Sequence, residues 1–225
     1  MTASTDGINS YRYERKYVVP FHMESNLDAI LCRSRYCFRE IFSERTVNNI
    51  YFDTSMFRFY HENMQGVSDR KKVRIRWYGN GPLTGACRLE IKRKSGLVGT
   101  KTVQPLTLNG QDIMSFGLLN ELSLPQELRF ELGEIRPTLF NRYKRRYFLS
   151  ADGRFRATID RALRYSHPGV CHFGNTMGSQ DVTSVLELKY DRDADPDAAY
   201  VTADIPLTLS KKSKYVTGID AVYNC

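Results

Sequence analysis

A chain of 225 residues with 33 Lys and Arg against 25 Asp and Glu carries a formal net charge of +8, which points to an anionic partner: nucleic acid, a membrane surface or a phosphorylated small molecule. Its 41% apolar and 26% charged residues suit a globular protein and exclude a disordered tail, and no apolar run reaches the length of a membrane span. The start, MTASTDGINSYRYERK, lacks the apolar core of a signal peptide, and five cysteines (Cys32, Cys37, Cys87, Cys171, Cys225) without a CxxC pair read as reduced thiols in a cytoplasmic protein rather than a disulfide framework.

After a polar leader (residues 1–10), YRYERKYVVP reads as a strand closed by Pro20, and a helix fits Met23 to Arg33 with Met23, Leu27, Ile30 and Leu31 on one stripe. RTVNNIYFDT reads as a strand, and SMFRFYHENMQG as a short helix with Ser55 as its cap and Gly66 after its end. KKVRIRWYG and ACRLEIKRK flank the turn-rich NGPLTG and form a hairpin; LVGTKTVQPLTL continues as a strand toward Pro105. From Asn109 to Gly133 the pattern becomes helical, with Pro125 near the start of the last fragment. Strands return in TLFNRYKRRYFLS and GRFRATIDRALRYS, joined by the tight ADG turn. SHPGVCHFGNTMGSQD is a loop, TSVLELKYD another strand, and LTLSKKSKYVTGIDAVYN a basic loop feeding a helix. Even composition without repeats gives one domain over residues 1–225, of α+β class.

The strands share a trait. KKVRIRWYG sets Lys72, Arg74 and Arg76 against Val73, Ile75 and Trp77. YRYERKYV aligns Arg12, Glu14 and Lys16, and CRLEIKRK aligns Arg88, Glu90, Lys92 and Lys94. RFRATID aligns Arg154, Arg156, Thr158 and Asp160, and VLELKYD pairs Glu187 with Lys189. Two geometries fit: a sandwich with its charges in water, or an antiparallel β-barrel with helices packed on the outside and a tunnel lined with basic residues. Any single strand favours the sandwich. Cations on strand after strand weigh toward the barrel, because they repel one another unless an anion compensates them.

Arg can donate two bonds to phosphate oxygens, where Lys supplies a point charge, so such a tunnel suits a linear polyanion. A carboxylate among these cations is either a salt-bridge partner or a ligand for Mg²⁺ or Mn²⁺. Glu187 is the preferred ligand, with Glu14, Glu90 and Asp160 behind it.

YERKY, NNIYFDT, KVRIRWYG, CRLEIKRK, RPTLFNRYKRRYF, RATID, LELKYD and KKSKY occur in the order of a VTC domain, the catalytic domain of vacuolar transporter chaperone polyphosphate polymerases. Within the triphosphate tunnel metalloenzyme superfamily, the chain resembles this family from roughly Tyr11 to Asp220. The resemblance implies a tunnel barrel that binds a nucleoside triphosphate and a divalent ion, Mn²⁺ before Mg²⁺, and moves the terminal phosphate of ATP onto a polyphosphate chain. Carried over by motif, Lys16, Arg74, Arg76, Lys92, Arg145, Arg156 and Lys214 would hold phosphates, Ser213 would hydrogen-bond one, and Glu187 would ligate the metal. Lys189, on the face of Glu187, adds a further phosphate contact.

The superfamily's ExExK signature departs here: Arg12 stands at its first Glu position, leaving Glu14 and Lys16, as in VTC-type members. Neither an SPX domain nor membrane helices accompany the motifs, so sensing and membrane delivery are not implied. An ionised polyphosphate end needs no general base, whereas hydrolysis needs a positioned water. A triphosphatase, or a non-catalytic module binding polyphosphate or nucleic acid, are the rival readings. Nucleic-acid binders expose a basic patch with rings for stacking, and Tyr13, Tyr51, Trp77, Tyr78, Tyr143 and Tyr147, near the basic motifs, read as wall residues instead, so no nucleic acid is expected. His167, Cys171 and His172 form an H-x₃-C-H cluster without a second pair, which reads as a loop coincidence rather than a zinc site.

Overall fold

The structure is a computed structural model describing residues 12–81, 83–96, 98–108, 118–170, 178–203 and 205–224. One antiparallel sheet runs through it. Its strands are β1 (Arg12–Val19), β2 (Arg39–Asp53), β3 (Arg70–Tyr78), β4 (Gly85–Ser95), β5 (Val98–Leu108), β6 (Arg136–Leu149), β7 (Phe155–Ser166), β8 (Ser179–Gln180) and β9 (Ser184–Asp191). The order is β1-β9-β7-β6-β2-β3-β4-β5, with the short β8 added to β7. No ladder joins the two ends among the described residues, so the barrel is approximate. Side chains reach across the gap instead: Lys92 on β4 lies 3.5 Å from Glu14 on β1.

Alternation assigns the two faces. Val73 and Ile75 have no exposed surface and Trp77 is buried with them in an apolar cluster on the convex side, together with Leu89 and Ile91 of the neighbouring strand. Burying each such side chain contributes about 1.5–3 kcal/mol. A second cluster joins Phe155, Ala157 and Ile159 of β7 and Leu186 and Leu188 of β9 to Leu27 and Leu31. With its apolar side covered, the sheet turns its charged side inward.

The helices differ in detail from the sequence reading. The stretch expected as one helix splits into α1 (Phe21–Glu24) and α2 (Leu27–Arg33) at Ser25 and Asn26, two residues of modest helix propensity. Next comes α3 (Arg58–Gln65), which Ser55 does not cap. Asp53 does, accepting from the amides of Thr54 (2.7 Å), Phe59 (2.8 Å) and Tyr60 (2.9 Å). Gly66 ends the helix at φ 72°, a left-handed position that a side chain would strain. Then follow α4 (Leu118–Glu121) and α5 (Gln126–Leu132), with Pro125 as N-cap of the latter; residues 109–117 of the expected helical stretch lie outside the described residues. An unforeseen α6 (Asp195–Ala203) opens on Asp-Pro-Asp, where acidic side chains favour a helix N-terminus.

The last helix, α7 (Lys214–Tyr223), is seated differently from the helices packed on the outside. Tyr215 stacks on Tyr51 (ring centroids 5.0 Å, 26°), and the Tyr51 hydroxyl accepts from Arg74 of the charged face. A Cβ on Gly218 would come within 2.5 Å of Leu139 and 2.6 Å of Tyr165. Helix α7 thus docks on the concave side at one end of the sheet. A register shift between Arg161 and Arg164 of β7, where Ala162 stands at φ 51°, accompanies this change from charged to apolar interior. No described helix is long and apolar enough to cross a membrane.

Candidate active site in the tunnel

The concave face brings together residues far apart in sequence. Cross-strand register places Lys16 opposite Glu187, Thr158 opposite Glu187, Arg156 opposite Lys189, Arg145 opposite Asp160, Arg74 opposite Glu90 and Lys72 opposite Lys92. These pairs share one surface because directly opposed residues project to the same side.

Two carboxylates act as internal struts. Asp160 is fully buried and accepts two bonds from Arg145 (2.5 and 2.6 Å) and an ion pair from Lys214 at 2.6 Å. Glu90 accepts from Arg74 Nε and Nη2 (2.8 and 2.6 Å) and from Lys101 (2.8 Å). Burial alone would raise Glu90, but Arg74, Arg76 and Lys101 outweigh it and hold the group at about 2. Charges this enclosed are stable only when paired, and each strut orients its guanidinium toward the lumen. Arg76, also buried, is fixed by donating to Asn49 Oδ1 (2.9 Å) and the Tyr143 hydroxyl (3.2 Å).

Glu187 is different. Lys189 stands 3.3 Å away, Lys214 3.5 Å, Lys16 3.8 Å and Arg145 3.9 Å. Cations surround this carboxylate without clamping it. Burial works to raise its pKa, and Lys214, Lys189, Lys16 and Arg145 overcome burial and hold it well below the usual range. Glu14 sits beside it, paired with Lys16 at 2.9 Å. Burial and the Glu187 charge push Glu14 upward, yet Lys16, Lys92 and Lys189 bring it down to about 2. Two ionised carboxylates near enough to repel offer oxygen ligands to a divalent ion, with phosphate oxygens and water to complete the shell. Among the described residues no three His, Cys, Asp or Glu side chains cluster for a metal. Glu90 and Asp160 are occupied as struts.

Lysines on the β3–β4–β5 side of the lumen, Lys72, Lys92 and Lys101, are lowered, first by burial. Burial, then Lys16, Lys92, Arg74 and Arg70, lower Lys72 to about 7. Lys92 is also lowered, first by desolvation, although its side chain is 56% exposed. Lys72 donates to Ser213 Oγ (2.9 Å), which also accepts from the Val216 amide (3.4 Å) as N-cap of α7. The Ser213 hydroxyl proton is thereby free to face an anion, beside the positive end of the helix. Lys214 is raised, burial being outweighed by Asp160 and Glu187.

All the site residues expected from sequence lie on the concave face or at its α7 end. Arg156 is the outlier in environment, exposed and without an ion pair among the described residues. Sequence reasoning left Lys101 out of the site, and Lys72 was noticed only as part of its strand. It also missed Asp53, which receives the Tyr215 hydroxyl and so ties α3's start to α7. His167 Nδ1 accepts from the Gly169 amide (3.1 Å) in a local turn; Cys171 and His172 lie outside the described residues.

A curled antiparallel sheet thus encloses a cationic face around one loosely held carboxylate. The model of the VTC domain family matches residues 11–223. The chain belongs to the VTC domain family, within the triphosphate tunnel metalloenzyme superfamily. Tunnel domains of this kind bind triphosphate or polyphosphate and generally use a divalent metal. Among solved structures the chain is similar to one from Vibrio parahaemolyticus described as "a putative adenylate cyclase", at 13% identity and a TM-score of 0.53, covering 93% of this chain and 99% of that one; this likeness concerns the fold. No curated protein matches the sequence.

Proposed function

We propose that this domain is a metal-dependent polyphosphate polymerase that transfers the terminal phosphate of ATP onto a polyphosphate chain held in the tunnel. The observation that carries the reading is the state of the lumen's carboxylates. Asp160 and Glu90 are bonded to Arg or Lys, and Glu187 and Glu14 sit ionised among cations. None of these carboxylates is a basic group poised to take a proton from water, the described histidines (His22, His61, His167) are not on the concave strands, and Lys72, the lumen amine lowered to about 7, is engaged with Ser213 Oγ at 2.9 Å. A terminal phosphate of a polyphosphate is already ionised and needs no base, so the site suits transfer better than hydrolysis.

In this reading Arg74, Arg76 and Arg145 offer planar donors to the non-bridging oxygens, and Lys16, Lys92, Lys189 and Lys214 neutralise the remaining charge. Ser213 donates to one phosphate oxygen, and Arg156 contacts phosphate at the open rim. A divalent ion, Mn²⁺ before Mg²⁺, would be held by Glu187 and supply charge neutralisation on the oxygens around the transferring phosphorus. The struts matter because they fix donors before substrate arrives, and such preorganisation is most of what a phosphoryl transferase contributes. Because these cations line a concave interior and not a convex patch, a duplex or folded nucleic acid is a poor fit. The chain would act as one unit over residues 1–225, in the cytoplasm, consistent with free Cys32, Cys37 and Cys87.

Purified protein given ATP and Mn²⁺ should accumulate acid-labile phosphate chains resolvable by gel electrophoresis. Orthophosphate release without chains would reassign the site to a triphosphatase. Neither product, with tight tripolyphosphate binding, would leave a binding module.

A further inference from the structure

One cluster near the lumen is mainly aromatic, set around the single cation Arg45. Tyr147 of β6 follows Tyr143 and Arg145 at two-residue spacing and so lies on the concave face. Its cross-strand partner on β2 is Phe42, with ring centroids 5.8 Å apart at 89°. Arg45 lies opposite Arg145, and its guanidinium rests 4.8 Å from the centre of the Phe42 ring and 5.6 Å from that of Tyr147. Tyr78, the last residue of β3, shares a face with Arg76 and Arg74 and is near enough to Tyr147 to influence its ionisation, as is Arg145. β3 and β6 both run antiparallel to β2 between them, so Tyr78 and Tyr147 mark the same end of the sheet.

Phe42 is 49% exposed and Tyr78 45%, large rings left in water where the tunnel opens. Arg45 has no carboxylate partner among the described residues. Along β3 the inward-facing residues read Tyr78, Arg76, Arg74, Lys72 and Arg70, from aromatic at this mouth to purely cationic further in. Polyphosphate has no π-face and gains nothing from a ring, whereas a nucleobase does.

We propose that Phe42, Arg45, Tyr78 and Tyr147 form a nucleobase-stacking collar at this mouth, so that a nucleoside triphosphate enters with its phosphates foremost toward Arg76 and Arg145. The inference rests on the phosphate-tunnel reading and adds a direction to it. Stacking is tolerant of base identity, so the collar selects nucleotides over inorganic triphosphate without selecting adenine strongly.

The test measures affinity by calorimetry for two probes, β,γ-imido-ATP and inorganic tripolyphosphate. Phe42→Ala is a suitable variant because the ring is half in solvent and its loss spares the core; Tyr78→Ala is the second. Each should weaken the imido-nucleotide by about 5- to 20-fold while tripolyphosphate stays within about twofold, and Phe42→Tyr should restore nucleotide binding. The imido analogue of GTP should bind within a few-fold of that of ATP. Equal loss for both probes, or no loss for the nucleotide in either Ala variant, overturns the collar. If tripolyphosphate fails to bind the unaltered protein, the tunnel reading itself fails, which is a separate outcome.

Discussion

Replacing Lys72 with Met should make the ligand-free protein more stable and its tunnel weaker. Lys72 sits at about 7 instead of 10.5, because burial and then the charges of Lys16, Lys92, Arg74 and Arg70 oppose its proton. Below pH 7 both folded and unfolded chains hold that proton, and the fold bears the whole cost of the enclosed charge. Between pH 7 and about 10.5 the unfolded chain binds the proton and the folded one does not, so stability climbs with pH across that window. At about 1.4 kcal/mol per unit, the cost below pH 7 has an upper bound of about 5 kcal/mol, and solvent in the lumen reduces it to about 1–3 kcal/mol. For a chain of this length that corresponds to a melting temperature raised by roughly 3–10 °C. The bond lost to Ser213 subtracts about 1 kcal/mol at most, since Ser213 keeps the Val216 amide. Thermal melts at pH 6.5 and 9.5 without ligand should show the larger gain at pH 6.5 and less than half of it at pH 9.5. Tripolyphosphate affinity should drop about tenfold at pH 6.5, as expected for one lost cation contact. A variant that melts lower than the parent at pH 6.5, or gains equally at both pH values, would refute the claim that lumen cations strain the empty fold.

Glu187→Gln should remove metal dependence: chain synthesis falls by at least about 100-fold, while metal-free tripolyphosphate binding holds or tightens because a negative charge has left the lumen. Loss of tripolyphosphate binding in calorimetry would make Glu187 a structural strut like Asp160. Asp53→Asn should cost about 2–4 kcal/mol, since an amide cannot accept the Tyr60 amide and the Tyr215 hydroxyl at the position where it becomes a donor. Denaturant melts would measure this, and Tyr215→Phe should cost about 1 kcal/mol by the same assay. Both variants should lower turnover at saturating nucleotide, because they loosen the helix that carries Ser213 and Lys214.

The staves of the tunnel were legible in the sequence because alternation is local. In KKVRIRWYG the pleat alone separates Arg74 and Arg76 from Val73 and Ile75, and the same pattern in CRLEIKRK carries Glu90 and Lys92. Which strands meet is not local. Lys92 and Glu14 are 78 positions apart and belong to strands that share no ladder, so nothing near either residue announces their contact. Asp53 was hidden for a related reason: NNIYFDT reads as a strand end, and its role as helix cap and hydroxyl acceptor appears only when α3 and α7 converge on it. Helix α7 reads as an ordinary amphipathic tail, and Gly218 reveals its interior seat only through Leu139 and Tyr165, some fifty or more residues earlier.

Contact lengths inside the tunnel separate what holds the wall from what can be exchanged. Arg145 and Asp160 meet at 2.5 and 2.6 Å with Asp160 fully buried, so removing either partner would strand a charge that water cannot reach. Lys16, Lys189 and Lys214 hold Glu187 only at 3.3–3.8 Å. Their donors keep capacity for shorter bonds, and a phosphate oxygen entering between them could form those bonds without breaking a tight pair. A divalent ion on Glu187 would relieve the same carboxylate of its surplus cations and release them to the incoming phosphates. Substrate and metal would then support each other's binding through one side chain. Such coupling predicts that tripolyphosphate raises the affinity for Mn²⁺, measured by calorimetry, and that the increase vanishes in Glu187→Gln.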